Sequence, residues 1–188
     1  MNMFVILLRG INVGGKNKLP MAELRTCLEE LGFSNVSTYI ASGNVLLESD
    51  KPAEKIQDLI EKTLIKSFKF DSELIKVLVL SHAQLKAVVE SKPKGFGDEL
   101  DKYHSDAVFL MGISPKVALE VFDPREGVDK IWPGEGVIYS QRLSAERTRS
   151  RLSKIVGTPA YKLMTIRSWN TVVKLLELLK NREANRVA

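Results

Sequence analysis

Met3 to Leu8 is an unbroken apolar run of strand length, which predicts a strand buried on both faces. Gly14-Gly15 and Pro20 mark the loop that follows, and Met21, Leu24, Leu28 and Leu31 then recur at helical spacing until Gly32 stops the helix. Val36 to Ala41 predicts a second strand, Ser42-Gly43-Asn44 a turn, and Val45 to Glu48 its antiparallel return. Pro52 opens a helix with Ile56, Leu59, Ile60, Leu64 and finally Phe68 on one face, and Ile75 to Leu80 makes a fourth strand. This first half reads βαββαβ.

The same order returns further along. A helix from His82 to about Glu90 leads into the Pro-, Gly- and charge-rich stretch Lys92 to Lys102, then a strand at Ala107 to Met111 and a helix from Ser114-Pro115 through Val117 and Val121. Strands near Val128–Trp132 and Val137–Ser140 flank Pro133-Gly134-Glu135-Gly136. A helix near Thr148–Val156 ends at Gly157, a short strand covers Tyr161–Met164, and a last helix from Ser168 buries Trp169, Val172, Val173, Leu176 and Leu179. The expected fold is α+β: two consecutive ferredoxin-like βαββαβ units with antiparallel sheets, plus a C-terminal helix. Residues 1–81 form the first half, 82–103 a helical connector and loop, and 104–188 the second half with the C-terminal helix. Such a unit has strand order 4-1-3-2 with both helices on one face. The apolar central strands then need cover on their other face, from the other half of the chain or from a second copy in a homo-oligomer.

Composition adds bounds rather than a function. Of the 188 residues, 44% are hydrophobic and 27% charged, the balance of an ordinary globular protein. Met3–Leu8 has no basic residue before it and no cleavage site after it, so it reads as a strand and not a signal peptide, and no apolar run approaches the roughly 20 residues that span a bilayer. The lone Cys27 cannot form an internal disulfide and lies on the apolar stripe of its helix, which fits packing in a reducing cytoplasm. The histidines, His82 and His104, form no zinc-ligand spacing, so neither metal nor cofactor is expected. Trp132 and Trp169 read as core anchors. The formal charge of +5 favours anionic partners weakly.

Topology locates the candidate site. Strands 1 and 2 run the same way, so the loop after strand 1 and the turn between strands 2 and 3 emerge at one edge of the sheet. Together they offer Arg9, Asn12, Gly14, Gly15, Lys16, Ser42, Gly43 and Asn44. Glycine amides and an arginine fork suit an oxyanion, and amides and hydroxyls can orient it, which points to a nucleotide or phosphorylated metabolite. The competing reading is that the glycines only shape turns and Lys16 and Lys18 only face water. An enzyme using these loops is the alternative, although no general base declares itself. Gly10 to Asn17 nearly matches G-x-x-x-x-G-K-[ST], yet Asn17 replaces the hydroxyl residue and Pro20 starts the helix too late for a phosphate loop.

A second basic stretch, Arg142, Arg147, Arg149, Arg151 and Lys154, leads to Thr165–Thr171, with Arg149, Arg151, Arg167 and Asn170 as a possible second patch. Nucleic acid could bind there, but a solvated face is the preferred reading, and strand 3 lacks the aromatic platform of an RNA-recognition sheet.

L-R-G-I-N-V-G-G at Leu8–Gly15, Y-I-A-S-G-N-V at Tyr39–Val45 and T-I-R-S-W-N-T-V at Thr165–Val172 together resemble the bacterial domain of unknown function 1697 family. The resemblance spans nearly the whole chain. It implies a small bacterial cytosolic protein of ferredoxin-like architecture with no established activity, substrate or cofactor, and its motifs contain Arg9, Asn12, Gly14, Gly15, Ser42, Gly43 and Asn44.

Overall fold

The computed structural model describes residues 1–71 and 75–187. Contacts divide the chain into two compact units, residues 1–85 with 175–188 and residues 86–174. Each holds one four-stranded antiparallel sheet, in the orders β2-β3-β1-β4 and β6-β7-β5-β8.

In the first unit β1 (Asn2–Arg9) lies between β3 (Asn44–Ser49) and β4 (Lys76–Ser81), and β2 (Ser34–Tyr39) is the edge strand beside β3. Phe4, Ile6 and Leu8 of β1, with Val45, Leu47, Val77 and Val79, face α1 (Met21–Glu30) and α2 (Ala53–Ser67), which bury Leu24 and Leu28 and Ile56, Ile60 and Leu64 against them. Pro20 and Pro52 stand at the two N-caps, where a missing N–H costs nothing. Cys27 is buried on α1, and burial pushes its thiol up.

Val5 and Leu7 project from the opposite face of β1, level with Leu46 and Leu80, and they too are buried within the single chain. The end of α5 (Trp169–Val187) belongs to this unit, and Arg182 binds it to β2, donating to Asn35 O and to Ser37 Oγ at 2.6 Å each. Ser37 is the cross-strand partner of Leu46, so α5 lies on this second face. No second copy of the chain is required to bury β1.

In the second unit β5 (Tyr103–Leu110) lies between β7 (Val137–Leu143) and β8 (Met164–Ser168), with β6 (Asp129–Gly134) at the edge. Val108, Leu110, Ile138 and Met164 pack with Ala118 of the short α4 (Pro115–Leu119), Phe122, Leu152 and Ile155. On the other face Phe96, fully buried, meets Trp132, Tyr139 and Trp169 edge-on at centroid distances of 5.9, 5.2 and 5.0 Å. Tyr139 donates its hydroxyl to Val88 O of α3 (His82–Glu90) at 2.6 Å. The polar-looking stretch after α3 is thereby pinned to the sheet by one aromatic side chain.

Three expectations are corrected. The helix expected near Thr148–Val156 is instead a chain of 3₁₀ segments at Ser144–Arg149, Leu152–Gly157 and Pro159–Leu163. Since Pro159 opens the last of these behind a Thr158 cap, the strand expected at Tyr161–Met164 starts only at Met164 and runs to Ser168. Val173 is 41% exposed and not buried, because the stripe of α5 runs through Val172, Leu175, Leu176 and Leu179. Replacing Phe96 by Ala should cost about 3–5 kcal/mol, the usual loss for a fully buried aromatic, read by urea denaturation; a change below about 1 kcal/mol would show that the loop is not held this way.

Candidate functional site

The two loops expected to converge do meet, and three asparagines hold them. Residues 12–17 fold back as a miniature hairpin in which Lys16 N donates to Val13 O at 3.0 Å and Asn12 N to Asn17 O at 3.1 Å. Gly14 and Gly15 form its turn at φ 58° and 77°, the double left-handed geometry that side chains resist. Asn12 reaches out of the hairpin: its Nδ2 donates to Leu19 O at 3.0 Å and to Ala41 O at 2.9 Å, and its Oδ1 accepts from Leu19 N at 2.8 Å. Asn17, buried, donates to Gly10 O at 2.6 Å and exchanges two 2.7 Å bonds with Asp71. Asn44, also buried, donates to Tyr39 O at 3.0 Å and Ser42 Oγ at 2.9 Å, which closes the turn between β2 and β3.

Gly43 is where the two loops touch. Leu8 N donates to its carbonyl at 2.8 Å, and a Cβ at its φ of 78° would stand 2.8 Å from both Leu8 Cβ and Ile11 Cδ1. Ile40, also left-handed at φ 50°, is a β-branched residue in a conformation that costs about 1–3 kcal/mol, and it remains 52% exposed. Val13, next to Asn12 in the hairpin, is 68% exposed.

The expected ligand residues thus separate by role. Asn12 and Gly43 join the loops, and Asn44 closes the β2–β3 turn. Gly14, Gly15, Lys16 and Ser42 are exposed, and Arg9 is half-buried at the end of β1 with Lys76 as its cross-strand partner. Lys18 adds a further exposed cation. The near-match to a phosphate loop has the wrong shape: Gly10–Lys16 closes on itself as a hairpin, and α1 begins five residues after Lys16, at Met21. Asn17 and Asp71 were not among the expected site residues; Asn17, like Asn12, adopts the left-handed region that asparagine tolerates, and no sequence pattern links it to Asp71, 54 positions away.

The second patch is not one open surface. Arg149 pairs with Glu146 at 3.0 Å, and Arg151 and Lys154 share Asp123 at 3.2 and 2.8 Å. The two cations hold the Asp123 carboxyl below its usual value, the Lys154 hydrogen bond first. Arg167 is buried on β8, bonded to Thr165 Oγ1 and Ile166 O at 2.9 Å each, and desolvation lowers its guanidinium to about 10. Asn170 is exposed on the first turn of α5. All six side chains of β3 are buried, which removes an open sheet face on which bases could stack. Among the described residues no three His, Cys, Asp or Glu side chains gather as metal ligands, and no helix is long and apolar enough to cross a membrane.

Asn12→Ala removes three hydrogen bonds at once and should destabilise the protein by about 1–3 kcal/mol, with faster hydrogen exchange at Leu19 N–H. Gly43→Ala should lose more than about 1 kcal/mol by the same denaturation measurement, since φ and the Leu8 and Ile11 contacts both oppose it.

Comparison with known proteins agrees with this architecture. A structure described as that of conserved bacterial protein SP0830 from Streptococcus pneumoniae matches with a TM-score of 0.78 at 27% identity, covering 95% of this chain and 98% of that one. No curated protein matches the chain. The model of the family described as "Protein of unknown function (DUF1697)" matches residues 1–139, the span that carries both loops of the site, and the chain belongs to that family.

Proposed function

We propose that this protein is a binding module for a small anionic ligand, a nucleotide or phosphorylated metabolite, held at the loop edge of the first unit. The single observation that carries the reading is the bracing of the loops: Asn12 and Asn17 fix the hairpin from both ends, while Lys16 and Lys18 are exposed in and just after it, Gly14 and Gly15 are exposed at its turn, and Arg9 ends the strand that leads into it. A braced loop needs little ordering when a ligand arrives, so a modest number of charge-assisted contacts suffices for binding. The reading takes both units as ferredoxin-like and as products of one duplicated βαββαβ plan, for which the shared strand order is the support. It assigns the protein to the cytoplasm, in keeping with a single buried thiol.

Thermal unfolding against inorganic phosphate, nucleotides and sugar phosphates tests it. A ligand at 100 times its dissociation constant adds about 2.7 kcal/mol, or roughly 5–10 °C for a chain of this size. The expected result is such a shift with one anion, lost in Arg9→Ala and reduced in Lys16→Ala, with both variants still unfolding cooperatively. No shift with any of these anions, or a shift that survives in Arg9→Ala, removes the proposal.

A further inference from the structure

A second feature of the first unit lies away from these loops, where the end of α5 meets the β2–β3 edge. The β2–β3 register slips between Ser34, opposite Glu48, and Ser37, opposite Leu46, so that Asn35 and Val36 together face only Leu47. This is a β-bulge, with Asn35 in the left-handed region at φ 50°. Beside it opens a cleft of about 360 Å³, lined by Asn35, Val36, Glu48, Arg182, Asn185 and Arg186.

Glu48 is the unusual member. It is 4% exposed and lines the cleft. Its ion-pair partner is Arg186 Nη2 at 3.7 Å, beyond hydrogen-bond reach. Arg182 stands on the same wall, fixed by Asn35 O and Ser37 Oγ. A carboxylate accepts from several donors, and the long ion pair with Arg186 does not supply a hydrogen bond. Arg186, 45% exposed, is held by two long 3.3 Å bonds to Met1 O and retains donors for another acceptor.

We propose that this cleft is a binding site for a small zwitterion, a free α-amino acid or a molecule of like size with an ammonium and a carboxylate a few bonds apart. The ammonium donates to Glu48, the carboxylate takes the Arg186 fork, and Asn35 and Asn185 line the remaining wall. One long ion pair is thereby replaced by charge-assisted hydrogen bonds at both ends. An anion alone would face the Glu48 carboxylate and a cation alone the two guanidiniums, so the arrangement selects for both charges in one molecule. The volume lies at the small end of ligand sites, which suits a metabolite and not a peptide.

The test is isothermal titration of the full chain with a panel of L-α-amino acids, with acetate and methylammonium as single-charge controls. The expected result is that at least one amino acid binds and both controls bind at least about tenfold more weakly. Glu48→Gln should then weaken that amino acid by about tenfold or more. If Glu48→Gln does not unfold cooperatively, Arg186→Gln, a change at an exposed side chain, carries the same expectation. No binding by any amino acid up to about 10 mM, acetate binding as tightly as the best of them, or an unchanged dissociation constant in the folded variant would each overturn the proposal.

Discussion

β1 has no free edge and no free face. It pairs with β3 on one side and β4 on the other, and its side chains from Met3 to Leu8 are buried in both directions. α1 and α2 can reach only one of those faces, because both follow their strands onto the same layer. The opposite face must be closed by chain from elsewhere, and the C-terminal half of α5 belongs to this unit. The first strand and the last helix are therefore parts of one structure, joined by contacts across almost the entire sequence. The bond from Arg182 to Asn35 O spans 147 positions. Such pairing is entropically slow to form and places the burden of specificity on a few directed contacts. Arg182 supplies two of them at the polar margin, where Leu46 gives way along the strand to Glu48.

The loop edge obeys a different constraint. Its geometry is set by left-handed backbone, concentrated at Gly10, Asn12, Gly14, Gly15, Asn17, Ile40 and Gly43. Glycine and asparagine tolerate that region, and the asparagines also repay it by bonding to nearby backbone. Ile40 does neither. Its strain persists because Tyr39 O on one side accepts from Asn44 and Ala41 O on the other accepts from Asn12, fixing the chain between them. Backbone strain on an exposed apolar residue beside a braced loop is a feature that packing alone does not call for.

How far the sequence could be read depended on how local each signal was. α1 and α2 were legible because Leu24 and Leu28, and Ile56, Ile60 and Leu64, repeat at helical period, and the strands because their apolar runs are short and bounded by glycine or proline. The 3₁₀ segments were not. Leu152 and Ile155 are the buried side chains of the middle one, too few to carry a periodic stripe, and Arg151 N is taken by Asp129 Oδ2 at 2.8 Å instead of a helical carbonyl. Convergence of the two loops was legible from topology, but the identity of its braces was not, since Asn17 depends on Asp71 and Asn12 on Ala41. Glu48 was expected only as the last residue of the third strand. Its burial comes from α5 and from a bulge that no residue of β2 announces, both of them facts of tertiary structure.

These differences explain why the two polar regions of the first unit have different characters. At the loops the amide groups are consumed in holding backbone to backbone, so what remains for a ligand is charge and glycine backbone on a fixed frame. In the cleft the frame is a sheet edge and a helix, and the charges themselves are incompletely matched: Arg182 is held by two 2.6 Å bonds while Arg186 reaches Glu48 only at 3.7 Å. Under the proposed reading, preorganisation lowers the ordering cost of binding at the first region. At the second, the Glu48 carboxylate and the Arg186 guanidinium face one cleft at a separation too long for a hydrogen bond, so their contact is an ion pair without a directed bond.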